Sequence, residues 1–151
     1  MSSPKTAPAR PASARPRFHL AFPVDSLADA RAFYGTIIGC PEGRSSDTWV
    51  DFDFYGHQIV AHLAPDECQT VATGGVDGKA VPVRHYGLLM DWDDWEALAD
   101  RFRAAGVAFI IEPYVRFAGQ PGEQGTFFLR DPAGNALEFK CFRDEAGIFA
   151  R

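Results

Sequence analysis

The chain has 151 residues, the length of one ordinary domain or of two small modules sharing a core. Its composition, 46% hydrophobic and 13% aromatic, is globular, and no run approaches the roughly 18 apolar residues of a membrane span. A net charge of −5 argues against a nucleic-acid binder, and three scattered cysteines with no CxxC spacing predict reduced thiols in a cytoplasmic protein.

Residues 1–16 hold Pro, Ala, Ser and basic residues, with no acid and no apolar stretch; they are expected to form a disordered tail, not a secretory signal. A first module is predicted over residues 17–64. It opens with a strand at 17–24, after which Asp25-Ser26 offers an N-cap for a helix over 27–38. Leu27, Ala30, Phe33, Tyr34 and Ile37 recur there at helical spacing, Gly39 closes the helix, and Pro41 prevents its continuation. Strands follow at 40–45, 48–54 and 57–63, with Tyr55-Gly56 as the turn between the last two. Asp51 and Asp53 alternate with the apolar Val50, Phe52 and Phe54; they are expected to face solvent, with a place on the open side of the sheet as the alternative.

Residues 65–82, rich in Gly, Asp and Thr, read as a linker. A second module over 83–144 repeats the order: strand 83–90, helix 92–105 with Trp95, Leu98, Ala99 and Phe102 on one side, and Gly106 as its stop. Strands at 107–112, 126–130 and 135–142 complete it, with Asp131-Pro132-Ala133-Gly134 as the last turn, a lid-like loop at 114–125, and a short C-terminal tail at 145–151. His85 follows His19 by 66 residues and Gly106 follows Gly39 by 67, a near-equality that points to duplication.

Strand alternation turns His19 away from Phe18, Leu20 and Phe22, His85 away from Tyr86 and Leu88, and Glu138 away from Leu137 and Phe139. Two imidazoles and a carboxylate on the non-core faces of strands are the donors that a divalent metal with open positions requires.

The order strand–helix–strand–strand–strand, given twice, resembles the vicinal oxygen chelate superfamily of glyoxalase I, extradiol dioxygenases, fosfomycin-resistance thiol transferases and bleomycin-resistance proteins. Histidines in both first strands and a glutamate in the last carry the likeness. So does the string Phe128-Leu129-Arg130-Asp131-Pro132-Ala133-Gly134-Asn135-Ala136-Leu137-Glu138-Phe139. The resemblance implies an α+β fold of two tandem βαβββ modules, a curved, cup-shaped mixed sheet with flanking helices. It also implies a metal held by His19, His85 and Glu138.

Superposing Gly56 on Gly134 puts Val60 where Glu138 stands, so the fourth ligand of glyoxalase I is missing and three protein ligands remain. That set resembles the extradiol dioxygenases and fosfomycin enzymes, although Phe128 stands where both have a tyrosine, and Ala21 where the latter have a hydroxyl. Fe(II) or Mn(II) is the favoured metal, with Zn(II), Ni(II) or Co(II) also compatible. The expectation is a dioxygenase-type enzyme acting on a small substrate that chelates the metal through vicinal oxygens. The alternatives are a lyase, isomerase or thiol transferase using the metal as Lewis acid, and a metal-free small-molecule binding protein. His62, on the parity of Val60, is the candidate proton carrier. Phe128, Arg116, Tyr114 and Gln124 are candidates for substrate contact, Arg116 through an anionic group. A homodimer is expected, because an open cup leaves sheet edges for a second copy to cover; the sequence leaves open whether one chain or two builds each site.

Overall fold

A computed structural model of the chain describes residues 15–68, 73–76 and 79–151. Residues 1–14 of the expected tail, and 69–72 and 77–78 of the expected linker, lie outside the described residues. The first half consists of β1 (His19–Val24), a helix α1 (27–38), β2 (Glu42–Ser45), β3 (Trp49–Phe54) and β4 (His57–Leu63). Ser26 caps α1 by accepting the Asp29 N–H at 3.1 Å. The helix is α-helical over Leu27–Ala30 and continues as a π-helical stretch, Arg31–Ile38, until Gly39 ends it at φ 88°. That left-handed C-cap is a conformation glycine adopts without steric cost.

The segment expected as a plain linker holds a short 3₁₀ turn, Pro65–Glu67, and a hairpin of β5 (Thr73–Val76) and β6 (Lys79–Pro82). The second half then gives β7 (Tyr86–Met90), α2 (Trp92–Ala104), β8 (Phe109–Arg116), β9 (Gln124–Arg130) and β10 (Ala136–Phe142). Two expectations need correction. His85 precedes β7 instead of lying within it. The lid-like loop shrinks to 117–123, because Tyr114, Val115 and Arg116 pair with Thr126, Gly125 and Gln124 and so extend β8. Pro113, which has no N–H to give, falls where the β8–β9 register shifts. A 3₁₀ turn, Glu145–Gly147, occupies part of the expected C-terminal tail.

Both sheets share one topology, β1-β4-β3-β2 and β7-β10-β9-β8, with the first and last strands of each half parallel. The register makes the duplication residue-specific. Ala21 lies opposite Val60 in the first sheet, and Gly87 lies opposite Glu138 in the second. Shifted by the 66 residues that separate the histidines, Ala21 falls on Gly87, which supports Val60 as the counterpart of Glu138.

One face of each sheet packs into a single core with the helices. Phe22, Val50, Phe52 and Ile59 from the first sheet meet Phe127, Leu129, Leu137 and Phe139 from the second, with Phe33, Tyr34, Leu98 and Phe102 supplied by the helices. A buried polar network joins the halves: the Tyr34 hydroxyl lies 2.7 Å from both the Tyr86 hydroxyl and Asp131 Oδ2, and Asn135 Nδ2 donates to the Pro23 carbonyl and to Asp131. Burial pushes the Asp131 carboxyl above its ordinary range, against the pull of those donors. Burial likewise lifts the Cys40 thiol to about 12, and all three cysteines are free. Among the described residues no helix is long and apolar enough to cross a membrane. Because the core takes one face of each sheet, the opposite faces, which carry His19 and Glu138, are left on the outside of the chain.

Candidate metal centre

His85 sits in the turn between β6 and β7, with Nδ1 2.6 Å from the Pro82 carbonyl oxygen. A carbonyl can only accept, so Nδ1 carries the proton, and in the neutral ring Nε2 keeps its lone pair. That Nε2 lies 3.0 Å from Oε2 of Glu138. The glutamate is set on the open face of β10 by alternation with Leu137 and Phe139, both fully buried, and its other oxygen accepts the Thr126 hydroxyl at 2.8 Å. In that neutral form an imidazole lone pair and a carboxylate oxygen at 3.0 Å are two acceptors facing each other. The contact needs a proton or a metal ion, and the donors present, one nitrogen and one anchored carboxylate, fit a divalent ion.

The surroundings hold this pair in place. Phe128, across the ladder from Glu138, is buried and meets the His85 ring edge-on with centroids 5.0 Å apart. It therefore packs the histidine as well as lining the cavity. At Gly87, opposite Glu138, a Cβ would run into the Glu138 carbonyl oxygen, so only glycine lets β7 come this close. The cavity beside the pair, about 170 Å³, is also lined by Tyr114, Arg116, Thr126 and Lys140. Two cations, Arg116 and Lys140, thus line the same cavity as the His85–Glu138 pair. Gln124 stands at the start of β9, and its side-chain amide donates to the Gly122 carbonyl at 3.4 Å.

His19 lies elsewhere. It lines a separate cavity of about 440 Å³ on the first sheet, with Gly43, Asp51, His57 and Gln58. Its Nδ1 is 2.8 Å from Gln58 Oε1, and Gln58 Nε2 donates to Asp51 Oδ2 at 3.0 Å. Asp51, expected to face solvent, is only 6% exposed. His57 accepts the Phe18 backbone N–H on Nδ1 at 3.0 Å and so serves the fold. His62 is exposed near the end of β4, on the Val60 face and apart from the His85–Glu138 cavity. Among the described residues of one chain, no three His, Cys, Asp or Glu side chains gather into a metal-binding group. The pair His85–Glu138 is brought together; His19 is not brought to it.

Sequence reasoning missed Thr126, Lys140, Gln58 and Gly87. Thr126 and Lys140 carried a signal, since both share the parity that singled out Glu138. Gln58 carried the same signal beside Val60.

The sequence matches the family model of the Glyoxalase/Bleomycin resistance protein/Dioxygenase superfamily over residues 18–139. Among curated proteins no match is found. Among solved structures, the chain is similar to a glyoxalase/bleomycin resistance protein/dioxygenase from Alicyclobacillus acidocaldarius at 32% identity and a TM-score of 0.74, covering 89% of this chain and 96% of that one. It shares its fold with a genomically encoded fosfomycin resistance protein from Listeria monocytogenes, at 16% identity, TM-score 0.66 and coverage of 89% and 98%. The same holds for a lactoylglutathione lyase from Agrobacterium tumefaciens, at 20% identity, TM-score 0.61 and coverage of 94% and 100%. The chain belongs to the Glyoxalase/Bleomycin resistance protein/Dioxygenase superfamily.

Proposed function

We propose that the protein is a metal-dependent enzyme whose site is completed by pairing of two copies, His19 from one chain joining His85 and Glu138 from the other. The observation that carries the metal reading is His85 Nε2 held 3.0 Å from Glu138 Oε2 while Nδ1 is engaged by the Pro82 carbonyl. The two-copy reading follows from the core: it consumes the helix-side faces of both sheets and leaves the ligand-bearing faces outward, on different cavities. Pairing the first sheet of one copy with the second sheet of another covers both faces at once, in an isologous dimer.

When bound, a divalent ion would supply Lewis acidity toward two adjacent substrate oxygens, and, if it is iron, chemistry on dioxygen as well. Val60 in place of a fourth ligand leaves room for both, so the favoured reaction is an oxygen-dependent one on a small compound with vicinal oxygens. Arg116 and Lys140 line the same cavity and suit an anionic group of that compound, with Phe128 as an apolar wall beside it. His62 stands on the first sheet's open face, two residues past Val60, where it could move a proton once that face is covered. A second reading, Lewis-acid chemistry on an oxyanion without dioxygen, is favoured by those two cations and by the absence of a phenol at Phe128.

Elemental analysis of protein purified without added metal, followed by a screen of vicinal-oxygen compounds under air and under nitrogen, tests the proposal. The expected result is about one divalent ion per chain and turnover only in air. Turnover at equal rates under nitrogen would transfer the assignment to the second reading, and protein that takes up no divalent ion would overturn both.

A further inference from the structure

Among the described residues no backbone carbonyl holds the first-half histidine as Pro82 holds His85; a side-chain relay does so instead. Asp51 is buried, and its Oδ1 accepts the Arg44 backbone N–H while its Oδ2 accepts from Gln58 Nε2 at 3.0 Å. The space is close: a Cβ at Gly43 would run into the Asp51 carboxylate. The Arg44 guanidinium, 4.0 Å from Oδ2 but 82% exposed, contributes little.

The donor and acceptor rules then leave one solution. A carboxylate only accepts, so Gln58 must turn its NH₂ toward Asp51 and its carbonyl oxygen toward His19. That oxygen, 2.8 Å from His19 Nδ1, also only accepts, so Nδ1 must carry the proton. In the neutral ring Nε2 is then left with its lone pair, as it is in the neutral form of His85 with Nδ1 on the Pro82 carbonyl.

We infer that Asp51 and Gln58 are positioning residues that fix the Nδ1–H tautomer of His19 and present its Nε2 to the metal. The use made of that Nε2 rests on the metal reading above; the tautomer itself is a property of the metal-free protein.

The polarity of the relay gives a test that a merely structural role would not pass. In Asp51→Asn the new amide must keep its oxygen on the Arg44 N–H and turn its NH₂ toward Gln58. Gln58 must then reverse, offer its own NH₂ to His19, and drive the proton to Nε2. Adding Gln58→Glu restores the original order, because the introduced carboxylate accepts from both neighbours. The experiment is ¹⁵N NMR of metal-free protein labelled at histidine, with the His19 signals identified by their loss in His19→Ala. Co(II) affinity is measured alongside by chelator competition.

The wild type should show Nδ1–H at His19, Asp51→Asn should show Nε2–H, and the double variant should return to Nδ1–H. Co(II) affinity should fall about 10–100-fold in the single variant and recover in the double. Gln58→Leu, which removes the acceptor altogether, should lose the Nδ1–H preference and the affinity together, and it stands in if Asp51→Asn does not fold. An unchanged tautomer in Asp51→Asn or Gln58→Leu, a wild type already Nε2–H, or a double variant without recovery would overturn the inference. A wild type that binds no Co(II) would instead sink the metal reading, and the tautomer series would still decide the relay.

Discussion

The two halves of the chain share a strand order, a register and a helix that packs into one core, yet they hold their histidines by different means. In the second half His85 is fixed by a backbone carbonyl and faces a carboxylate. In the first half His19 is fixed through Gln58 by Asp51, and the position of the carboxylate is taken by Val60. The two halves keep one scaffold and a histidine at or just before the first strand, whereas the last-strand carboxylate is present on one side only. The difference makes the two open faces unlike: one carries His19 backed by Gln58 and Asp51, the other an imidazole that faces a carboxylate directly.

Exchanging the residues that differ breaks or sharpens this comparison. The largest effect is expected from Glu138→Val, which gives the second half the first half's residue. Metal content should fall to background with the fold intact by circular dichroism, since Glu138 points away from the core. Next is the pair opposite these positions. Gly87→Ala sets a Cβ against the Glu138 backbone and should destabilise the protein by about 3 kcal/mol in urea denaturation, with metal loss. Its counterpart Ala21→Gly should cost only about 1 kcal/mol.

Tyr34→Phe tests what joins the halves. It removes bonds to Tyr86 and Asp131 and leaves a buried carboxylate short of a donor, so a loss of about 1–3 kcal/mol is expected from the same denaturation experiment. The smallest net effect should come from Val60→Glu. The new carboxylate faces Asp51 across the ladder, which should lower the melting temperature of metal-free protein by a few degrees. Added Mn(II) should restore it, because the ion would gain a fourth ligand. Failure of the metal to raise that melting temperature would argue that Val60 does not border the site.

Much of the fold was legible because its signals are local. Ser26 and Gly39 mark the ends of α1, and the alternation of Val50, Phe52 and Phe54 marks β3, whatever the rest of the chain does. The parity of Glu138 was legible for the same reason. The π-helical stretch was not, since over 12 residues Leu27, Ala30, Phe33 and Tyr34 fit both spacings. The strand extension to Arg116 was hidden by Pro113, which reads as a breaker unless the register shift that tolerates it is known. The burial of Asp51 was not decided by the sequence, because a strand's open-face pattern looks the same whether water or Gln58 meets the carboxylate. That His19 and Glu138 stand on separate cavities was beyond the sequence altogether. It depends on which faces of two sheets share a core, and periodicity within each strand does not record that.

The two-copy site is tested most directly by mixing two defective chains. His19→Ala lacks the first-half ligand and Glu138→Ala lacks the second-half carboxylate, so neither should hold metal alone. After co-refolding in equal amounts, random pairing gives mixed dimers in which one site has His19 from one chain and His85 and Glu138 from the other. Metal content should recover to about one site in four, and activity with it. Mixtures that hold no more metal than the separate variants, although mixed dimers have formed, would contradict a site shared between copies.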